Sequence, residues 1–338
     1  MNIRLRRAFC AAAVAAFAAA VAAPASAEDA AASTACVGRD LGEGPGFEQA
    51  KRARADDLIN AQGLLWRVER EGVAPSYLFG VIHSTDDGAV AVARQAAEFV
   101  ASAKVVATEL GGQLDAAGKG ALASAMLAKA LARDEDTFAP ALTGADAAAV
   151  EIHLASRGVP KQMAHHLRLW FLAAASALPS CETARAAEGL PEIDELIARA
   201  GRDRGLPVVA LETIQEQIDA LAAAPADVCA TMLAADARAP ELDDDAYATM
   251  LRLYREKRPA EMLAVGDVMP GLTPRERAAE DVFTRLLLVG RNEVMAARAE
   301  PLIAAGGAFI AVGALHLSGK TGLIERFRVA GYRVVDVW

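Results

Sequence analysis

Two apolar segments, one near each end of the chain, end in the same pattern of a glycine followed three residues later by a histidine. The first reads SYLFGVIHSTD and places Gly80 before His83, and the second reads AFIAVGALH and places Gly313 before His316. Runs of β-branched and aromatic residues bounded by polar turn residues are typical of buried strands. A glycine near the end of a strand lets another backbone or a ligand approach closely. We therefore expect two buried strands that each deliver a histidine to a functional site.

Apolar runs typical of strands recur between long helical segments. A short turn that holds Gly72 and Pro75 separates the first two strands, which predicts an antiparallel hairpin. Residues 112–205 and 214–305 carry apolar positions at helical spacing and predict two large helical insertions. Together these features predict an α/β fold with a mostly parallel central sheet. The predicted strands are residues 64–70, 77–83, 104–110, 207–212, 308–316 and 332–338.

Four of the predicted strands end on a side chain that can bind a metal, namely His83, Glu109, Glu212 and His316. Ligands of parallel sheets sit beyond the carboxyl ends of the strands, so we expect these residues to meet at one edge. Two imidazoles and a carboxylate can hold a catalytic divalent cation and leave one position for water. A single strand-end histidine is more often a hydrogen-bonded loop residue, and only the paired pattern favours a metal site.

The first 27 residues have the features of an export signal. Three arginines precede an apolar run at residues 8–23, and the sequence ASA at 25–27 fits a small-residue cleavage site. The apolar run is shorter than the roughly 20 residues that span a bilayer, which favours a cleaved signal over an N-terminal anchor. We expect a periplasmic or secreted protein with no stable membrane span after cleavage. Residues 28–60 then form a lead-in and a helix, and residues 61–338 form the main domain.

The composition argues against one class of partner. The formal net charge is −9 at pH 7, whereas binding to nucleic-acid phosphates needs clustered Lys and Arg. We therefore expect no nucleic-acid partner.

Three cysteines, Cys36, Cys181 and Cys229, follow the predicted signal. An exported protein can keep disulfides, and an odd count leaves one thiol over. Cys181 and Cys229 both fall in the helical middle of the chain and are the preferred pair. A bond from Cys36 to either of them remains an alternative.

Other polar residues are weaker candidates for a site. His165 and His166 are adjacent on a predicted helix and cannot both face one ligand, and with His153 they are predicted at the surface or the edge of the core. The acidic stretch 241–245 is interpreted as a solvated surface turn. The Arg-Asn pair at 291–292 lies inside a long predicted helix, where such a pair is usually a solvated face or a local ion pair.

Several short motifs stand in a fixed order from about residue 64 to the end of the chain. They are Gly80 to His83 preceded by LLWRVEREGVAPSYLF, Glu109 in VVATEL, GLPVVALETIQEQ, the Arg-Asn pair, and VGALHLSGKTG. The ordered set resembles the TraB/GumN family, which includes the Tiki metalloproteases. The resemblance implies a scaffold shared with erythromycin esterases and ChaN-like haem-binding proteins, an α/β core with helical insertions.

The Tiki branch of the resemblance implies metal-dependent peptide hydrolysis, with His83, Glu109 and His316 as the metal ligands. Glu212, at another strand end, is then a candidate fourth ligand or general base. Nitrogen and oxygen ligands leave Zn, Mn and Co as candidate ions. The remaining predicted site residues are Gly80, Gly313 and Arg291.

Two departures from the family pattern bear on this interpretation. Val81 stands where members commonly carry Thr, and Gly290 stands where they commonly carry Glu before the Arg-Asn pair. The presence of Val81 in place of Thr removes a hydroxyl beside the predicted metal site. Both departures fit a second hypothesis, a periplasmic protein that binds a peptide or haem without turnover. A third hypothesis, from the family name and the export signal alone, is an accessory role in envelope polysaccharide assembly. The expected partner is a peptide or small-molecule substrate.

Overall fold

The computed structural model describes residues 36–111, 116–133, 135–177 and 179–338. The predicted export signal at residues 1–27 lies outside the described residues. The fold is built on one six-stranded sheet in the order β4-β3-β5-β2-β1-β6. Its strands are β1 (Leu65–Glu69), β2 (Ser76–Val81), β3 (Val105–Thr108), β4 (Val208–Ala210), β5 (Ala308–Gly313) and β6 (Arg333–Asp336).

The strands β4, β3, β5 and β2 run parallel to one another. Strand β1 pairs antiparallel with β2 and with β6, so the predicted hairpin is present. The α/β fold with a mostly parallel sheet is confirmed.

Two helical insertions cross from β3 to β4 and from β4 to β5. Helix α1 (Gly44–Ala53) precedes the sheet, α2 (Asp87–Val100) joins β2 to β3, and α14 (Leu323–Val329) precedes β6. The first insertion contains α3 (Ala116–Ala130), α4 (Gly144–Ser156), α5 (Lys161–Ala164), α6 (Leu169–Ser176), α7 (Ser180–Ala187) and α8 (Ile193–Arg202). The second contains α9 (Ile214–Ala222), α10 (Ala226–Arg238), α11 (Glu241–Arg255), α12 (Met262–Val265) and α13 (Pro274–Ala305).

Both faces of the central strands are buried, because successive residues of β5 belong alternately to two apolar clusters. Phe309 and Ala311 belong to one apolar cluster, whereas Ile310 and Val312 belong to a second cluster on the other face. Sheets covered by helices on both faces read as continuous apolar runs. This explains why β5 was recognisable as AFIAVG without any polar alternation.

Helix starts in the second insertion follow from local sequence. Thr213 begins α9 and Thr273 begins α13, each with a capping box to a glutamate three residues later. In both, the threonine side chain accepts from the backbone N–H of that glutamate, whose carboxylate accepts from the threonine N–H. The 32-residue helix α13 is therefore fixed at its start, and it carries the Arg-Asn pair to the sheet.

The interpretation of residues 241–245 as a solvated turn is wrong. These residues form the first turn of α11, where Leu242, Asp243 and Asp245 are buried. Acidic side chains stabilise a helix N-terminus. Asp245 also accepts hydrogen bonds from the backbone N–H and the Nε of Arg39, at 2.6 and 2.9 Å.

The preferred cysteine pairing is also wrong. Cys36 is bonded to Cys181, across 145 residues of sequence. Cys229 is buried on α10 and takes no part in this bond. Cys181 and Cys229 lie in different insertions, on α7 and α10, so their common helical setting did not predict that they would be close in space.

Within the described ranges, no single helix is both long and apolar enough to cross a membrane. Helices α9 and α10 are together long and apolar enough, but the chain bends by 83° between them.

Candidate functional site

The four predicted strand-end residues lie at the carboxyl edge of the parallel strands, and all four are buried. His83 follows β2, Glu109 follows β3 and Glu212 follows β4. His316 ends a short 3₁₀ turn, Ala314–His316, directly after β5. The parallel order places these chain segments at one edge.

The guanidinium of Arg291 joins the two strand-end glutamates. Its Nη2 donates to Glu109 Oε2 at 2.7 Å and to Glu212 Oε2 at 2.6 Å, and its Nε donates to Glu212 Oε1 at 3.0 Å. Gln217 from α9 also donates to both carboxylates, at 3.1 and 3.3 Å. Of the two expectations for the Arg-Asn pair, the solvated face is wrong because Arg291 is buried, and the ion pair is present because Arg291 holds the two carboxylates together.

Glu109 and Glu212 differ in the direction of their pKa shifts, although they share Arg291. Burial opposes ionisation of Glu109, but Arg291 and the nearby histidines lower its pKa to about 2. The backbone N–H of Gly313 contributes by donating to Glu109 Oε1 at 2.7 Å. Burial raises the pKa of Glu212 above its ordinary value, against the opposing effect of Arg291. Glu109 is therefore the more firmly ionised carboxylate.

The tautomer of His316 follows from its neighbour Asn292. The carbonyl of Thr321 can only accept, so the amide nitrogen of Asn292 faces it at 3.0 Å. The amide oxygen of Asn292 then faces His316 Nδ1 at 2.6 Å, and Nδ1 must carry the proton. Burial and the charge of Arg291 lower the pKa of His316 to about 3. His316 is therefore a neutral imidazole whose Nε2 offers a lone pair.

The Nε2 atom of His316 lies 3.8 Å from Glu109 Oε1. Two electron-pair donors thus face each other across a gap too long for a hydrogen bond. Metal-binding histidines commonly donate their other ring N–H to a fixed acceptor, as His316 does to Asn292. These two atoms fit a divalent cation held between them, but His83, Glu109 and His316 together do not offer three ligand atoms within 4.8 Å of one another in the described part of the chain.

His83 has acidic partners that the sequence motifs did not indicate. Its Nδ1 lies 3.0 Å from Asp194 Oδ2 and 3.7 Å from Glu192 Oε2. Burial opposes a charge on His83, but Asp194, Glu109 and Glu192 together raise its pKa to about 9. Both acids stand at the start of the helix that leads into β4, so the crossover, rather than a sequence motif, brings them to His83.

The loop after His83 is fixed by a buried carboxylate. Glu182 on α7 accepts from Ser84 Oγ at 2.6 Å, from Thr85 Oγ1 at 2.7 Å and from Tyr247 Oη at 2.6 Å. Because Cys181 is the preceding residue and is bonded to Cys36, the disulfide lies next to the support of this loop. No sequence motif indicated this connection.

Gly80 has a structural reason for lacking a side chain. A Cβ at Gly80 would come within 2.9 Å of the Ala314 Cβ, so β2 packs tightly against the turn that carries His316. The carbonyl of Gly80 also accepts from Tyr254 Oη at 2.9 Å. These contacts set the relative positions of the two Gly-x-x-His segments.

A cavity of about 290 Å³ lies beside the site and is lined in part by Asn292 and Leu315. The buried hydroxyls of Thr284 and Ser318 also line it. It is bounded by charged side chains of both signs, among them Arg54, Lys320 and Asp281.

The fold and the site define an α/β protein whose parallel sheet carries a buried cluster of histidines and carboxylates at its carboxyl edge. The model of the TraB/PrgY/gumN family matches residues 64–336. The chain belongs to this family, and the resemblance found in the sequence is confirmed. No curated protein and no solved structure gives a significant match.

Proposed function

We propose that the protein is an exported metal-dependent hydrolase that acts on peptides. The observation that carries the proposal is the pair of donors formed by His316 Nε2 and Glu109 Oε1, 3.8 Å apart. Glu109 and His316 would hold the ion, as Zn, Mn or Co, with His83 as the predicted third ligand. A bound divalent ion supplies an activated water and polarises a carbonyl.

The surrounding residues have separate roles in this proposal. Asn292 orients His316 through the 2.6 Å contact to Nδ1. Arg291 fixes both carboxylates and offsets part of their negative charge. Glu212 is the proposed general base, because its raised pKa makes its carboxylate a better proton acceptor than that of Glu109.

Two features support export. The first 27 residues carry the pattern of a cleaved signal. The Cys36–Cys181 disulfide is of a kind that persists in oxidising compartments.

A metal-binding experiment on the mature protein, residues 28–338, tests the proposal. At an ion concentration about 100 times the Kd, bound metal stabilises the fold by roughly 2.7 kcal/mol. We expect Zn, Mn or Co to raise the Tm of the wild type. His316→Ala should abolish the rise attributed to this site, and Asn292→Ala should weaken ion binding about 10–100-fold. His166→Ala, at an exposed position, is the matched control. A wild type that binds none of these ions contradicts the proposal.

A peptide-library assay separates hydrolysis from binding alone. Cleavage that is lost in Glu212→Gln, with ion binding retained, supports the hydrolase. The alternative is a peptide- or haem-binding protein, and Val81 in place of the family's common Thr favours it. Peptide capture would leave the peptide intact after long incubation, and haem binding would give a Soret band. An accessory role in polysaccharide assembly remains a prediction to which no described contact adds support.

A further inference from the structure

The start of helix α8 forms a second group of ligand atoms on the other side of His83. Glu192 is the N-cap residue of this helix, and Asp194 lies in its first turn. One ligand atom from each of these acids and one from His83 lie within 4.8 Å of one another. None of the motifs found in the sequence includes either acid.

The path of the chain explains why these acids reach the site. Helix α8 immediately precedes β4, and a crossover helix that leads into a parallel strand begins at the carboxyl edge of the sheet. A Cβ at Gly201 would come within 2.8 Å of a Val106 methyl and 3.2 Å of a Val208 methyl. The absence of a side chain therefore lets α8 pack closely on β3 and β4, with its N-terminus at the site.

Asp194 is nearly inaccessible, with 1% of its surface exposed. Its Oδ2 accepts no well-aligned hydrogen bond from the described part of the chain, and it lies 3.0 Å from His83 Nδ1. Two ligand atoms about 2.1 Å from a common ion and 3.0 Å apart subtend roughly 90° at that ion, which is octahedral geometry. The spacing of the nitrogen and the oxygen is that of an ion pair, and it also suits two neighbouring ligands of one ion.

The charges around the site divide into two groups. Arg291 pairs with Glu109 and Glu212, whereas Asp194 and Glu192 lie 3.0 and 3.7 Å from His83 Nδ1. A divalent cation bound at the second group would balance its two acids in place of a proton on His83.

We propose that His83 Nδ1, Asp194 and Glu192 bind a divalent cation at a position separate from the His316–Glu109 pair. One imidazole and two carboxylates are ligands that suit Mn²⁺. The proposal rests on the proposed function only through His83, which both ligand sets share.

Mn²⁺ binding to the mature protein, followed by the electron paramagnetic resonance signal of the free ion, tests this proposal. We expect Asp194→Asn and Glu192→Gln each to weaken Mn²⁺ binding at least tenfold. Glu195→Gln is the matched control, because this acid lies on the same helix and pairs with Arg199 at 3.1 Å. His316→Ala should retain the Mn²⁺ bound at the start of α8.

The two proposals fail in different ways. If Asp194→Asn and Glu192→Gln bind Mn²⁺ like the wild type, this inference is overturned, whereas His316-dependent binding would still support the proposed function. If those variants lose Mn²⁺ and no ion depends on His316, the inference stands and the proposed ligand set falls. A wild type that binds no Mn²⁺ overturns the inference.

Melting of the metal-free variants separates ligand loss from unfolding. Glu192 is partly exposed, so Glu192→Gln should melt like the wild type without metal and still lose affinity. If its affinity loss is accompanied by an equal fall in metal-free stability, Glu192 is only structural and the inference is overturned.

Discussion

Ser84 donates a hydrogen bond to Glu182 at 2.6 Å, although 98 residues separate the two along the chain. This bond connects the loop that follows His83 to the helix that carries Cys181. The position of a predicted site residue thus depends on an insertion that contributes no strand to the sheet.

Glu182→Gln should destabilise the fold by about 2 kcal/mol. The carboxylate accepts from three hydroxyl groups and one backbone N–H, and an amide in its place cannot accept from all of them. Hydrogen bonds to a charged group contribute about 1.5–3 kcal/mol each, and partial rearrangement retains some of them. Urea unfolding measures the change, with Glu188→Gln at an exposed position as the control. Equal stability of the two variants would show that Glu182 does not hold the loop.

Reduction of the Cys36–Cys181 bond should lower the free energy of unfolding. The bond closes a loop of 145 residues, for which the chain-entropy model gives about 5 kcal/mol. The double variant Cys36→Ser/Cys181→Ser should therefore unfold at much lower urea concentration. Cys229→Ala keeps the bond and should remain sensitive to reductant. Non-reducing peptide mapping that joins Cys181 to Cys229 would refute the assignment.

Arg291→Met should cost about 3–5 kcal/mol, because it leaves two buried carboxylates without their cation. Arg291 Nη2 lies 2.7 Å from Glu109 Oε2 and 2.6 Å from Glu212 Oε2. Arg298→Met is the control, because Arg298 pairs with Glu216 at an exposed position, where a pair contributes at most about 1 kcal/mol. Chemical denaturation compares the two variants, and a small effect of Arg291→Met would mean that the glutamates are protonated in the native state.

His165 should make stability depend on pH near neutrality. Hydrogen bonds to Asp136 and Glu151, at 2.9 and 3.0 Å, raise its pKa above 6.5. The folded state therefore binds the proton more tightly than the unfolded state. The resulting stabilisation is fully present below about pH 6.5 and is lost as pH rises through the folded pKa. NMR titration should give a His165 pKa above 6.5 that falls in Asp136→Asn, and an unchanged value in that variant would contradict the prediction.

The sheet and the ends of its strands could be predicted because local sequence determines them. The segments that end in His83 and His316 are apolar without interruption, and Gly80 marks a close approach of the backbone to Ala314. Glu109 and Glu212 follow similar runs. The spacing of apolar residues and the positions of turn residues are local properties of the sequence, so no tertiary information was needed to find the strands.

The contacts around the site could not be predicted in the same way. Asn292 was visible in the sequence, but its role depends on which face of α13 meets the sheet. Asp194 is far from His83 along the chain, and only the crossover geometry of α8 brings them to 3.0 Å. The disulfide partner of Cys181 depends on how the first insertion folds. These three contacts depend on how helices pack, which the spacing of apolar residues along the sequence does not determine.

The pairing of β2 with β5 has a consequence for synthesis of the protein. Ala308 donates its backbone N–H to Ser76 Oγ at 3.0 Å, across 232 residues of sequence. At about 5–20 residues per second, a ribosome needs roughly 10–45 s to make the chain between them. Throughout that time β2 has an unpaired edge, and such edges promote aggregation. A nascent chain released before β5 is made would lack the central strand of its sheet, so the site can form only when translation is nearly finished.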